Sequence, residues 1–159
     1  QRRAPLVQAL VDAEIPVMGH IGLTPQSVHV MGGYKVQGKR IDEAHALVED
    51  AQELEAAGAF SIVLEGMPEP VGRRVTESVG VPTIGIGAGR SCDGQVLVFH
   101  DLVGLTQGPA PRFVRRYADL AGAISDATKR FIDDVRSGSF PSEAETYSMP
   151  AAVGTPPRR

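Results

Sequence analysis

Apolar residues along the chain change their period several times, and each change marks an element. Leu6, Val7, Leu10 and Val11 recur at helical spacing, which predicts an amphipathic helix over 4–13. "IPVMGH" (15–20) is a short apolar run that ends in His20 and reads as a strand. Thr24 and Pro25 have the cap and first-turn chemistry of a brief helical turn. "GGYKVQGK" (32–39), with no periodicity and glycine towards both ends, reads as a mobile loop. After Asp42, a helix cap, Ala44, Leu47, Val48, Ala51 and Leu54 make one stripe of a helix that Gly58 ends. "SIVLE" (61–65) supplies a second strand, and Val71, Val75 and Val79 a helix over about 69–79. "VPTIGIGAG" (81–89) is a third strand running into glycines, and "QVLVFHD" (95–101) a fourth. Two helices are expected near 110–120 and 122–137; Ile124, Phe131, Ile132 and Val135 form the apolar face of the second, and Gly138 stops it.

Alternation of strands and helices predicts an α/β protein with a parallel sheet. The strands are continuous apolar runs, which fits burial on both faces. Residues 87–94 are too few for an ordinary parallel crossover. Strands three and four are therefore expected as a hairpin, or joined across an abbreviated helical layer. The Pro, Ser and Ala content from Pro141 onward predicts an arm and then a disordered end, so the domain spans 1–138 and the arm and tail 139–159.

A length of 159 residues allows one domain with a real core. A net charge of -3 gives no support for nucleic-acid binding. No apolar run approaches the roughly 18 residues of a membrane span. The start, QRRAPLVQAL, is no secretory leader; it lacks an initiator Met and opens on a helix already under way. The single Cys92 excludes an internal disulfide and suits a reducing compartment, so a cytoplasmic location is expected.

In a βα architecture the C-terminal ends of parallel strands form the active face. His20, Glu65, the run Gly85-Ile86-Gly87-Ala88-Gly89, and His100-Asp101 are all expected there. Two readings of Glu65 stand side by side. A partly buried carboxylate is suited to take a proton near neutral pH, and a glutamate at a helix start is favoured by the helix dipole. His20 could stabilise a developing oxyanion, or be a core histidine bonded to backbone. His100 and Asp101 are adjacent and match no metal-ligand spacing, which favours a structural role. His29 and His45 read as solvated, and Cys92, with no base beside it, as an incidental thiol. "GIGAG" is no dinucleotide fingerprint; its N–H groups could hold a phosphate, or its glycines could serve close packing.

Taken in order, "GHIGLTPQSV", "GGYKVQGK", "VLEGMP", "IGIGAG", "DGQVLVFHD" and "PRFVRRY" resemble the ketopantoate hydroxymethyltransferase family from about residue 5 to 147. "GHIGLTPQS" followed by "GGYKVQG" carries most of the specificity. The resemblance implies a (βα)8 TIM-barrel type of the phosphoenolpyruvate and isocitrate-lyase kind, with only about the last four βα units present. It implies transfer of a hydroxymethyl group from 5,10-methylenetetrahydrofolate to 3-methyl-2-oxobutanoate, with Mg²⁺ assisting enolate formation. Glu65 would be the general base at C3, and His20 a contact to the bound keto acid. The family's Mg²⁺ ligands, and a substrate-binding Ser and Lys, belong to the first four units, so no metal ligand is assigned in this chain. A homo-oligomer with its C-terminal helix packed on a neighbour is also implied. Two alternatives compete: a carbon–carbon lyase or phosphonomutase of the related barrels, and a non-catalytic half-barrel that needs a partner segment.

Overall fold

The computed structural model describes residues 3–25 and 35–149. The continuation of the helical turn beyond Pro25, His29, the first part of the 32–39 loop and the tail from 150 lie outside the described residues.

Helix α1 (Ala4–Asp12) leads into strand β1 (Met18–Gly22), α2 (Ile41–Ala56), β2 (Ser61–Glu65), α3 (Glu69–Ser78) and β3 (Thr83–Ile86). The two-residue strand β4 (Gly94–Gln95), the short α4 (Phe99–Leu102) and the long α5 (Leu120–Ser137) follow. All four strands are parallel and lie in chain order, β1-β2-β3-β4. Met18 pairs with Ser61 and Gly22 with Glu65, and Glu65 in turn pairs with Ile86.

The pleat sorts side chains between two faces. Ile21, Ile62 and Leu64 point at the helices and pack with Ala51 of α2 and Val75 of α3. Leu47, Val48, Leu54 and Val71 close the edges of this cluster. Ile62, Leu64 and Val75 are fully buried, each contributing roughly 1.5–3 kcal/mol. The opposite face carries half-buried His20, Val63, Glu65 and Ile84, buried Ser61 and Ile86, and Met18, which is 48% exposed. Burial on both faces is thus corrected: within the described residues only one face of the sheet is fully covered.

The strands and first three helices fall close to their expected places, β1 running slightly later than "IPVMGH". Two elements differ. The apolar run after Gln95 is no strand: pairing stops at Gln95 and Phe99 begins a helical turn. Val96, Val98 and Phe99 are 45–61% exposed, so no packing rewards an extended conformation there. Residues 110–119 form no helix either. Proline at 109 and 111 denies backbone donors. The Arg116 guanidinium instead donates to the carbonyls of Thr106 and Gly108, which closes the chain into a loop.

The link from β3 to β4 is parallel and has no helix. Asp93 stands in for one. Its Oδ2 accepts from the Thr83 N–H at 2.8 Å and from the Thr83 hydroxyl at 3.0 Å, while the Asp93 N–H returns to that hydroxyl. The same hydroxyl lies 2.9 Å from that of Thr76, tying the clasp to α3. Hydrogen bonds from the Thr83 N–H and then its hydroxyl hold the Asp93 carboxyl below its ordinary range.

Asp93→Ala leaves the N–H of fully buried Thr83 without its acceptor, and should cost about 1–3 kcal/mol in urea unfolding. A depressed carboxyl contributes stability that is present above its unfolded-state pKa and lost as pH falls through the folded value. The gap between parent and Asp93→Ala is therefore largest at neutral pH. It should narrow as the solution is acidified through and below the ordinary carboxylate range, and a gap independent of pH would refute the clasp.

Candidate functional site

Glu65 is the last residue of β2, and its place follows from the two before it. Leu64 is anchored in the core, so the pleat turns Glu65 to the open face. His20 pairs with Val63, two residues before Glu65, which sets His20 and Glu65 diagonally on one face of neighbouring strands. His20 Nε2 lies 3.0 Å from Glu65 Oε2, with the two side chains 31% and 14% exposed. That is ion-pair distance, yet Nε2, itself buried, has no aligned hydrogen-bond partner. Nothing else donates to the Glu65 carboxylate among the described residues. The pair keeps unused hydrogen-bonding capacity directed at the same small space.

The helix-start reading of Glu65 does not apply. Helix α3 begins at Glu69, which is the acid of its first turn. Glu69 accepts from the Arg73 guanidinium and from Ser91 Oγ, and these two bonds, Arg73 first, hold its carboxyl below the usual range.

Main-chain bonds fix the end of β2. The Glu65 carbonyl accepts from Leu23 N–H at 2.8 Å; Gly66 N–H reaches the Ile86 carbonyl and Met67 N–H the Gly87 carbonyl. The Gly66 carbonyl accepts from Gln37 N–H, so the loop before α2 is tied to the strand end. Gly22 makes this possible: φ is +88°, and a Cβ there would lie 2.2 Å from the Glu65 carbonyl oxygen.

The glycines after β3 serve close packing. A Cβ on Gly89 would meet Glu69 at 2.3 Å, and one on Gly72 of α3 would meet the Ala88 carbonyl oxygen at 2.4 Å. A Cβ on Gly87 would meet the Phe113 ring at 2.6 Å, so that ring packs against bare backbone.

His100 and Asp101 are corrected. They sit in α4 and not at a strand end, His100 edge-on to Phe99 and exposed. His45 is exposed on α2. Cys92 packs against the core, and burial pushes its thiol up, away from thiolate chemistry. Sequence reasoning missed Asp93, the Glu69–Arg73–Ser91 clamp and Phe113. The Asp-Gly pair at 93–94 and the i,i+4 spacing of Glu69 and Arg73 were the available signals.

A cavity of about 610 Å³ runs along the free edge of β1, between α1 and α2, and is lined in part by Val7, Met18, His20, Gly22, Leu47 and Leu54. Among the described residues no three His, Cys, Asp or Glu side chains gather as a metal site. No helix among them is long and apolar enough to cross a membrane.

A carboxylate and an imidazole, held together at the C-terminal edge of a parallel sheet, define a site suited to moving a proton. Residues 1–143 match the family model for ketopantoate hydroxymethyltransferase. The chain is 58% identical over 150 residues to the 3-methyl-2-oxobutanoate hydroxymethyltransferase of Koribacter versatilis, covering 94% of this chain and 51% of that protein. The enzymes of the same name from Trichlorobacter lovleyi and Methylobacterium sp. are 54% and 55% identical, over 91% and 95% of this chain. They are covered to 54% and 53% of their own lengths. The chain belongs to the ketopantoate hydroxymethyltransferase family, a family of transferases, and spans about half the length of the curated relatives it matches.

Gly22→Ala should strain the turn by about 1–3 kcal/mol and push β1 away from the Glu65 carbonyl. Denaturant unfolding should give a lower midpoint, and the His20 ring resonances should move relative to the parent. An unchanged His20 spectrum would mean that the backbone grip does not position the pair.

Proposed function

We infer that this chain carries the base-bearing part of a hydroxymethyltransferase acting on 3-methyl-2-oxobutanoate. The observation that supports it most directly is the Glu65 carboxylate, largely shielded from solvent and facing the buried Nε2 of His20 with its lone pairs unspent. Glu65 takes the proton from C3 of the keto acid, and the electrons of that C–H bond pass to the C2 carbonyl oxygen as an enolate. His20, facing the same space, contacts the keto acid. Water releases the one-carbon unit of 5,10-methylenetetrahydrofolate as formaldehyde, both folate C–N bonds breaking and tetrahydrofolate leaving. C3 of the enolate then adds to the formaldehyde carbon, and the new alkoxide takes up a proton to give 2-dehydropantoate. The Mg²⁺ that the family resemblance implies would be held by other segments.

The same reading takes the sheet as part of a (βα)8 barrel. Strands in chain order, with the crossover helices α2 and α3 packed on one face, favour a barrel over a doubly wound sheet, which distributes helices to both faces. The open face then becomes barrel interior, and the free edge of β1 is where the preceding strand adds. A homo-oligomer is consistent with α5, none of whose residues is buried although Ile124, Phe131 and Val135 are apolar.

A second reading is a half-barrel that does no chemistry until a partner segment covers it. Exposed Met18, beside the edge of β1 that is unpaired among the described residues, favours it. One experiment separates the two. Proton NMR of 3-methyl-2-oxobutanoate in D₂O with Mg²⁺ follows loss of the C3 signal. Catalysed exchange that falls at least ~10²-fold in Glu65→Gln is expected if Glu65 is the base. Equal exchange in both proteins removes Glu65 from that role. Absence of exchange from folded parent chain supports the second reading.

A further inference from the structure

The segment that follows β3 is poorly suited to hold itself still. Gly87 and Gly89 both take positive φ, +66° and +85°, and glycine gives the main chain more freedom than any other residue. Yet the main chain beside Glu65 leans on it. The carbonyls of Ile86 and Gly87 accept the N–H groups of Gly66 and Met67, at 2.9 and 3.1 Å. What fixes the segment comes from the first turn of α3. Glu69 Oε1 accepts from Ser91 Oγ at 2.8 Å and from the Arg73 guanidinium, and Arg73 Nε lies 3.4 Å from Ser91 Oγ. Glu69 can close over the segment because a Cβ on Gly89 would stand 2.3 Å from its side chain. Gly72 of the same helix admits the Ala88 carbonyl in the same way, and Ala88 is fully buried. Stability alone gives the cluster little reason to exist. Glu69 and Arg73 are 32% and 52% exposed, and an i,i+4 pair in such a setting contributes little.

We propose that Glu69 and Ser91 are positioning residues for Glu65, acting through the segment after β3 on the main chain at the end of β2. This rests on the hydroxymethyl-transfer reading above for what Glu65 does, and adds what keeps it in place. The links form a closed ring. From Glu65 the chain runs four residues to Glu69, crosses to Ser91 by a hydrogen bond, and returns through Gly89 and Gly87 to Ile86, the register partner of Glu65. Opening the ring at Ser91 leaves two flexible points beside the base. One is the glycine segment itself; the other is Gly66, directly after Glu65, whose φ is +58°. Leu23 still holds the Glu65 carbonyl from the β1 side, so the clamp governs the β3 side. Arg73 completes it by holding the Glu69 carboxylate where Ser91 reaches it. A base that takes a proton from carbon works only when placed within about 0.5 Å, so a small release at Gly66 is felt in the chemistry.

Ser91→Ala is the informative variant, because it cuts the link to the segment and leaves the Glu69–Arg73 pair standing. Amide hydrogen exchange of the folded chain, followed residue by residue by NMR, is the first measurement. The Gly66 and Met67 amides should exchange about three- to tenfold faster than in the parent, as the loss of one ordinary hydrogen bond allows. The Ile62 and Leu64 amides, in the core of the same strand, should keep the parent rates, and the His20 ring resonances should move. Ser91→Thr keeps the hydroxyl and should restore the parent rates at 66 and 67. Glu69→Ala removes both bonds and should act on the same two amides at least as strongly. Unchanged rates at Gly66 and Met67 in Ser91→Ala overturn the proposal. Equal acceleration of all four amides also overturns it, since Ser91 would then serve stability in general. C3 proton exchange of 3-methyl-2-oxobutanoate is read in the same proteins, where kcat should fall about three- to tenfold in Ser91→Ala with KM unchanged. An active parent whose kcat survives the substitution removes the positioning role. Absence of C3 exchange from the parent counts against the hydroxymethyl-transfer reading alone, and the amide rates then decide the clamp by themselves.

Discussion

The site depends on how the main chain grips the end of β2. The Glu65 carbonyl is held by Leu23, and the next two N–H groups are held by the carbonyls of Ile86 and Gly87. Sheet-like bonding thus continues past the last paired residues on both sides of Glu65. This is possible only because Gly22 has no Cβ to strike the Glu65 carbonyl oxygen. A side chain rooted in backbone fixed on both flanks has few ways to move, and placement is what a proton acceptor on carbon needs most. The outer supports reach the same point: Glu69, Arg73 and Ser91 clamp the loop after β3, and Gln95 holds the Gly89 carbonyl.

The same strand serves stability and chemistry through its alternation. Ile62 and Leu64 are buried under α2 and α3, and they oblige Val63 and Glu65 to face the other way. A slip of one residue would carry Glu65 into the apolar layer, so the register is strongly specified. The carboxylate has no aligned donor among the described residues, although His20 Nε2 is only 3.0 Å away. Carboxylates fixed for structural reasons look different here. Asp93 and Glu69 each accept two or more hydrogen bonds from neighbours and are held acidic by them. Glu65 is partly buried without that compensation, which stability alone does not explain.

Much of this was legible in the sequence, for reasons that also mark its limits. Long amphipathic stripes and short apolar runs ended by glycine located α1, α2, α3 and the first three strands, and the rule of strand ends selected His20 and Glu65 together. "QVLVFHD" misled because a short apolar run does not reveal whether anything packs against it, and here little does. The helix expected near 110–120 failed on two prolines and on Arg116, whose bonds to carbonyls eight and ten residues earlier no periodicity can signal. Asp93 was invisible for a similar reason: its role comes from Thr83, ten residues away and across a turn.

Open and closed faces of the sheet also constrain how the site could be completed. Met18, Val63 and Ile84 leave apolar surface on the face that carries Glu65, and covering a side chain such as Met18 is worth up to about 1.5–3 kcal/mol. On the barrel reading, the segment that gains this energy by adding at the edge of β1 also removes water from around Glu65 and His20. Completion of the fold and desolvation of the base are then one event. On the same reading, exposed apolar surface beside Glu65 would be no defect of the sheet. It would be the means by which an added strand is drawn to the place where its shielding is needed, tying a working base to an assembled barrel.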